Sequence, residues 1–355
     1  LQEDRIPDEA FEMCGRSLND WYRDVARANG SVLDPDKPDT IDPTVWAKIK
    51  AIGDALRKTA QDAYPDRAEC NADGQLTEVK LGGVTYKDVK KLGPGGGGVV
   101  YRAVHPETGE AIVIKTPIGF VANSAISEND HQSLRREGMS HRAVSGGEHG
   151  ECPKNILGMK GMVMAPNGAP LIAMDLADAG DADDYTNAMG ACESSGLMSE
   201  PARQAMMAAQ MRDIMLGMKA MQAKGMTHHD LKSANVFLTG DGTFKVADFG
   251  LAEHVDGHDS PVLGLDEFTP GYAPPELLGT GAVTQKSDNF TLGEILERVT
   301  DPLRKQGVYA ERFSSANPGP SRKTTSDGGF SKETSLDRVI NRLKDPDPSK
   351  RQSID

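Results

Sequence analysis

The sequence has no run approaching about 18 consecutive apolar residues, which argues against a membrane-spanning helix. It also lacks a basic excess. Lys and Arg total 40 against 53 Asp and Glu, so the net charge is 40 − 53 = −13. A general nucleic-acid binder or a binder of anionic membranes would carry a basic footprint, and none is visible. Cysteine is scarce. The four residues Cys14, Cys70, Cys152 and Cys192 form no C-x-x-C pair, so zinc and dithiol motifs have no support. Reduced thiols and a cytoplasmic setting are the expectation. Leu1-Gln2-Glu3-Asp4 has neither the basic start nor the apolar core of a secretory leader. Residue 1 is not Met, so a fragment is expected and a removed targeting segment stays open. No internal repeat is evident.

The 355 residues allow about two domains at roughly 100–200 residues each. A chain of this length buries most of its apolar surface without a disulfide or metal staple. Residues 1–80 read as helices joined by polar, Pro-containing turns. The clearest helix runs from Pro43 to Tyr64, with Val45, Ile49, Ile52 and Leu56 at helical spacing and Pro43 in the first turn. Asn71-Ala72-Asp73-Gly74 lacks the acidic spacing of a calcium loop and reads as a turn. From about residue 83 short β-rich runs appear: Val84–Leu92, Val99–Val104, Ala111–Thr116, Ile156–Met164 and Leu171–Leu176. A polar helical segment, Ser124–Arg142, interrupts them. Beyond Ala177 the pattern is mainly helical. Met207, Met211, Met215, Met218 and Met221 recur at helical steps in Pro201–Lys224 and read as a core face. The Ser-, Gly- and Pro-rich stretch 314–333 reads as a loop.

Chemistry concentrates in a few places. Leu92-Gly93-Pro94-Gly95-Gly96-Gly97-Gly98-Val99-Val100 contains G-x-G-x-x-G-x-V between two strands. Gly93, Gly95 and Gly98 would let backbone approach a polyphosphate where side chains would clash. The loop opens no helix and no G-K-[ST] follows, so neither a dinucleotide fingerprint nor a Walker loop is present. Lys115 ends the next strand, 115 − 93 = 22 residues on. A lysine there needs an acidic partner; Glu137 is the best candidate and Glu128 the second. His228-His229-Asp230-Leu231-Lys232-Ser233-Ala234-Asn235 precedes Asp248-Phe249-Gly250, with Asp248 at 248 − 230 = 18 residues after Asp230. Asp230 could accept or orient a hydroxyl proton, and Lys232 could neutralise a phosphoryl group in transfer. Asn235 and Asp248 offer oxygen ligands suited to Mg²⁺.

On these residues, about Val84 to Asp355 resembles a eukaryotic-type Ser/Thr protein kinase domain. The resemblance implies an α+β, bilobal fold. A five-stranded antiparallel small lobe with one main helix (81–177 with the hinge) would precede a mainly helical large lobe (178–355), after an α-helical extension (1–80). It implies Mg-ATP as cofactor, with Mn²⁺ as a substitute, and protein substrates. Gly93, Gly95, Gly96 and Gly98 would cover the phosphates, and Lys115 would contact them while paired with Glu137. Val100, Val113 and Phe237 would line the adenine pocket. Met174 would be the gatekeeper, with Asp175, Leu176 and Ala177 as hinge. Asp230 and Lys232 would be catalytic, and Asn235 and Asp248 would hold metal. Thr269 would bond Asp230 and Lys232, Glu276 would pair with Arg351, and Asp288 would hold the catalytic loop.

Departures from the family pattern also matter. His229 stands where the family has the Arg that receives an activation-loop phosphate, which points to activity without that switch or to a different switch. Val113 replaces a small Ala and Phe237 a Leu, and both would narrow the adenine pocket. His254, His258 and neighbouring acids could bind metal, although a solvated loop is the plainer reading. Ser260 and Thr269 are candidate autophosphorylation sites. Two further functional readings stand beside the kinase. One is a pseudokinase scaffold, marked by nucleotide binding without transfer. The other is a small-molecule kinase, which the docking segment Thr269–Glu276 disfavours. Residues 1–80 would brace the small lobe or recruit a partner. The Ala/Gly/Met-rich style suits a bacterial kinase, even an effector delivered into a host cell.

Overall fold

The structure is a computed structural model of the chain. It describes residues 18–28, 41–95, 98–117, 120, 127–147, 150–254, 269, 271–279, 284–300 and 335–354. Two compact units are present: Leu1–Cys152 with Gly158–Leu176, and Pro153–Leu157 with Ala177–Asp355. No helix among the described residues is long and apolar enough to cross a membrane.

The first unit opens with a helical pair, α1 (Leu18–Ala28) and α2 (Pro43–Ala63). Asp42 Oδ1 starts α2 by accepting the N–H groups of Thr44 and Val45 at 2.9 and 3.1 Å. The pair buries the face of Trp46, Ile49 and Gly53. The Tyr22 ring meets Trp46 edge-on at 5.2 Å, and its hydroxyl donates to Asp54 Oδ1 at 2.9 Å. A Cβ on Gly53 would fall 2.5 Å from that ring, so only glycine admits it. Val45, Ile52 and Leu56 lie off this face and remain exposed.

Residues 67–81 correct the expectation of an all-helical extension. They form a hairpin of β1 (Arg67–Cys70) and β2 (Leu76–Leu81). The turn reading of Asn71–Gly74 holds: Asn71 Oδ1 accepts the N–H of Asp73 and of Gln75, and Gly74 takes φ +75°. The five expected strands follow as β3 (Val84–Gly95), β4 (Gly98–Val104), β5 (Ala111–Pro117), β6 (Met159–Met164) and β7 (Pro170–Asp175). The sheet therefore has seven strands in the order β1-β2-β3-β4-β5-β7-β6, and it closes through a parallel bridge from Arg67 to Met164. Its interior holds Val79, Leu81, Ala103, Ile112, Ile114, Leu171 and Ala173. Strand alternation then turns Val113 and Lys115 to the opposite face. Helix α3 (Glu128–Val144) begins where Ser127 Oγ accepts the Asp130 N–H at 3.1 Å.

The second unit is mainly helical. Asp181 caps α4 (Ala182–Ser194), and Ser199 caps α5 (Glu200–Gln222) with Pro201 in its first turn. Met207, Met211, Ile214, Met218 and Met221 are buried, so these four methionines of the stripe are core, while Met215 is half-buried. Short strands follow: β8 (Met226–Thr227), β9 (Val236–Leu238), β10 (Phe244–Val246) and β11 (Glu253–His254). β9 pairs with β10 and β8 with β11. The remaining helices are α6 (Pro275–Gly279), α7 (Gln285–Thr300) and α8 (Ser335–Leu343). Lys344 ties the end of α8 to Glu294 and Glu297 of α7. Residues 314–333, Ser260 and His258 lie outside the described residues.

Candidate active site

In the first unit, β5 delivers Lys115 to a buried position. Its Nζ donates to Glu137 Oε1 at 2.6 Å, with both side chains under a tenth exposed. Of the two candidate acids, Glu137 forms the described pair; Glu128 is the first residue of α3. A buried ion pair persists only where the geometry offsets desolvation, and removing one partner would strand the other charge. Val100 lies opposite Lys115 in the β4–β5 ladder, and Met174 lies opposite Val113 in the β5–β7 ladder. Cross-strand partners share a face, so these four side chains form one surface. Gly93 pairs with Val100 and Gly95 with Gly98 at the turn from β3 to β4; Gly96 lies outside the described residues. A Cβ on Gly98 would fall 2.0 Å from the Thr116 carbonyl oxygen. Asp175 ends β7. Its carboxylate accepts the Gly158 N–H at 3.2 Å and pairs with Lys160 at 3.1 Å, a contact with no local sequence signal.

In the second unit, Ala177 follows the end of the first and is half-buried. Phe237 sits on β9, opposite Lys245, with a bridge to Asp181. The loop 228–235 is pinned by its backbone. Asp288 Oδ2 accepts the His228 N–H at 2.6 Å, and Oδ1 accepts the His229 N–H at 3.1 Å. Burial raises the Asp288 carboxyl above its ordinary range against the pull of both histidines and their N–H groups. His228 Nε2 lies 3.0 Å from the Ala247 carbonyl. His229 adopts φ +66° and is buried, and neither ring nitrogen has a hydrogen-bond partner. Burial lowers its titration point, while Asp288 and Glu253 pull the other way.

These bonds gather the predicted chemistry at Asp230. Lys232 Nζ donates to Asp230 Oδ2 at 2.6 Å and to Thr269 Oγ1 at 3.0 Å. Thr269 in turn donates to Asp230 Oδ1 at 2.7 Å. Asn235 Nδ2 donates to the Asp230 carbonyl at 2.8 Å and to Oδ2 at 3.2 Å. The Asn235 amide nitrogen is thus committed, and its oxygen remains as a hard donor. The Ala247 N–H donates to the Asn235 carbonyl at 2.9 Å, which brings Asp248 to the residue after that contact. Asp248 takes φ +62° there. An amide oxygen and a carboxylate suit Mg²⁺, which prefers few protein ligands alongside phosphate oxygens. Further along, Arg351 grips Glu276 with two bonds of 2.5 and 2.6 Å, and Ser287 adds a third at 2.8 Å. Burial alone would raise the Glu276 carboxyl, but Arg351, its own backbone N–H and Ser287 together hold it below its ordinary range.

The family model for the protein kinase domain matches residues 86–355. L-type lectin-domain containing receptor kinase VIII.1 of Arabidopsis thaliana is 27% identical over 235 residues, covering 64% of this chain and 29% of that protein. Cytokinesis protein sepH of Emericella nidulans is 25% identical over 287 residues, covering 77% of this chain and 18% of that protein. Serine/threonine-protein kinase PknK of Mycobacterium tuberculosis is 25% identical over 211 residues, covering 59% of this chain and 17% of that protein. The chain therefore spans less than a third of the length of each of these relatives.

Proposed function

The chain belongs to the protein kinase family, and we propose that it transfers the γ-phosphoryl group of Mg-ATP to Ser and Thr hydroxyls of protein substrates, its own among them. The observation that carries this reading is the convergence of Lys232, Thr269 and Asn235 on the Asp230 carboxylate and carbonyl. Asp230 orients the acceptor hydroxyl and takes its proton. Lys232 shares an oxygen of that carboxylate and balances charge on the phosphoryl group as it leaves. Thr269 fixes the other oxygen, so Asp230 faces the acceptor in one orientation.

Asn235 and Asp248 would hold the metal through their oxygens. Mg²⁺, or Mn²⁺ in its place, supplies charge neutralisation along the phosphate chain when bound. Lys115, fixed by Glu137, binds the inner phosphates. The backbone at Gly93, Gly95, Gly96 and Gly98 comes close to them because no side chain intervenes. Val100, Val113 and Met174 share one face of the first unit's sheet and would meet adenine there, and by the family resemblance Phe237 and backbone groups from Asp175 to Ala177 would meet it too. Catalysis by positioning and charge needs no covalent intermediate on the protein. Residues 81–355 form the catalytic domain in this reading, with 1–80 as an accessory and the cytoplasm as the setting.

The test is transfer of label from γ-labelled ATP to the chain and to a generic protein acceptor, with and without Mg²⁺. Phosphoamino-acid analysis reads the specificity. Label on Ser and Thr supports the proposal. Nucleotide binding without transfer contradicts it.

A further inference from the structure

Glu137 must meet Lys115 from a helix, so the position of α3 decides whether the pair forms. Gly138, the next residue, marks where α3 rests. A Cβ there would lie 2.8 Å from Met162 Sδ, so the helix backbone lies close over that side chain. Met162 is fully buried and clusters with Tyr64, Met164 and Met159. Tyr64 is 3% exposed, and its hydroxyl donates to the Met162 carbonyl at 3.3 Å. The Asp66 carbonyl accepts the Met164 N–H at 3.0 Å, next to the Arg67–Met164 bridge. The segment after α2 therefore lies along the edge of β6, the strand beneath α3. A second contact reaches α3 from α1. Arg135 Nη1, two residues before Glu137, lies 3.5 Å from Asp20 Oδ2, and Asp20 Oδ1 also holds Arg23 at 3.1 Å.

We infer that residues 18–28 and 41–67 are a built-in positioning element for α3, in which Tyr64, through Met162, and Asp20, through Arg135, hold Glu137 against Lys115. Neither Tyr64 nor Asp20 is a catalytic residue. Their consequence for phosphoryl transfer rests on the kinase reading above; their effect on the ion pair does not.

The experiment uses the full chain and separates the two. Trace acetylation with acetic anhydride, read by peptide mass spectrometry, gives the ratio of modification at Lys115 to that at exposed Lys90. A lysine locked to Glu137 reacts slowly, and a released one reacts faster. In Tyr64→Phe/Asp20→Asn, which keeps ring and volume, the ratio should rise about fivefold, in the range set by losing one buried hydrogen bond and one part-exposed ion pair. Asp20→Asn alone should raise it less, and Asp20→Glu should restore it, which a general loss of stability would not do. A ratio at the wild-type level in the double variant overturns the inference. Turnover should fall with the same rank order. A wild type that transfers no phosphate while the ratio still rises removes the kinase reading and leaves the positioning element standing. Normal transfer with an unmoved ratio does the reverse.

Discussion

The hydroxyl of Thr269 donates to Oδ1 of Asp230 at 2.7 Å, although the two are 39 positions apart in the sequence. Lys232 bridges the same two groups from the other side. The Asp230 carboxylate is therefore fixed at both oxygens before any substrate arrives, which is the preorganisation that transfer by positioning requires. Thr269→Val removes both bonds of that hydroxyl, the one it donates to Asp230 and the one it accepts from Lys232, and keeps the volume. It should lower turnover about tenfold, of the order of one charge-assisted hydrogen bond, while Thr269→Ser retains most of it. Steady-state kinetics on both variants checks this. Equal activity of Thr269→Val and wild type would separate these bonds from catalysis.

The Glu276–Arg351 pair makes a stability prediction. The Arg351 side chain is 0% exposed and Glu276 12%. Arg351→Met would leave the carboxylate buried and unpaired, at a cost of about 3–5 kcal/mol. Chemical denaturation of both proteins measures the difference. The folded carboxyl titrates below its ordinary value. Its contribution is therefore present above about pH 4.5 and fades as the pH falls through the lower, folded value. Without Arg351, burial is the largest influence left and pushes the carboxyl up, so Arg351→Met should lose that dependence and shift toward the opposite one.

His229 gives the opposite kind of pH dependence. Its folded titration point lies below the ordinary value. Between the folded value and about pH 6.5 the unfolded chain binds a proton that the folded chain refuses, so stability falls on acidification below about pH 6.5. Asp288, Glu253 and His228 act on it, and the raised Asp288 carboxyl works in the other direction at lower pH. His229→Asn keeps a residue that tolerates φ +66° and removes the titration. Thermal midpoints between pH 7.5 and 5.5 (roughly the His range) should fall more steeply for wild type than for the variant. Parallel curves would refute the assignment.

Two glycines should respond to alanine in opposite ways. A Cβ on Gly98 would sit 2.0 Å from a backbone oxygen of β5, which cannot move without shifting the strand that carries Lys115. Gly98→Ala should destabilise by about 1–3 kcal/mol, the usual cost of overpacking, and raise the KM for ATP. Gly190, inside α4, has nothing within 4 Å. There alanine should stabilise by about 0.5–1 kcal/mol through helix propensity. Denaturation midpoints and nucleotide kinetics on the two variants check both.

Much of the site was legible because its chemistry is written in short local strings. Asp230, Lys232 and Asn235 lie within one loop, and Asp248 follows at fixed spacing. Lys115 was legible as a strand end and Glu137 as its first candidate partner, but the sequence left Glu128 of the same helix open beside it, and the choice rests on the 2.6 Å bond from Lys115 to Glu137. The β1–β2 hairpin escaped because Arg67–Cys70 is four residues long and shows little alternation. Its place is fixed by pairing with β2 and by the bridge to Met164, a partner 97 residues away (164 − 67). The contact from Tyr64 to Met162 is equally non-local, at a sequence separation of 98. Val45, Ile52 and Leu56 kept helical spacing yet face outward, because the α1–α2 contact is built on Tyr22, Trp46 and Gly53 instead.

The most direct test compares the full chain with Asp230→Ala and Asp248→Ala in γ-labelled ATP and Mg²⁺, with circular dichroism to show that all three are folded. The kinase reading predicts label on Ser and Thr from the wild type. It predicts a loss of at least about 10³-fold in each variant, on the scale of removing a main catalytic group. Full transfer by folded Asp248→Ala, or none by a folded wild type that binds nucleotide, would contradict it.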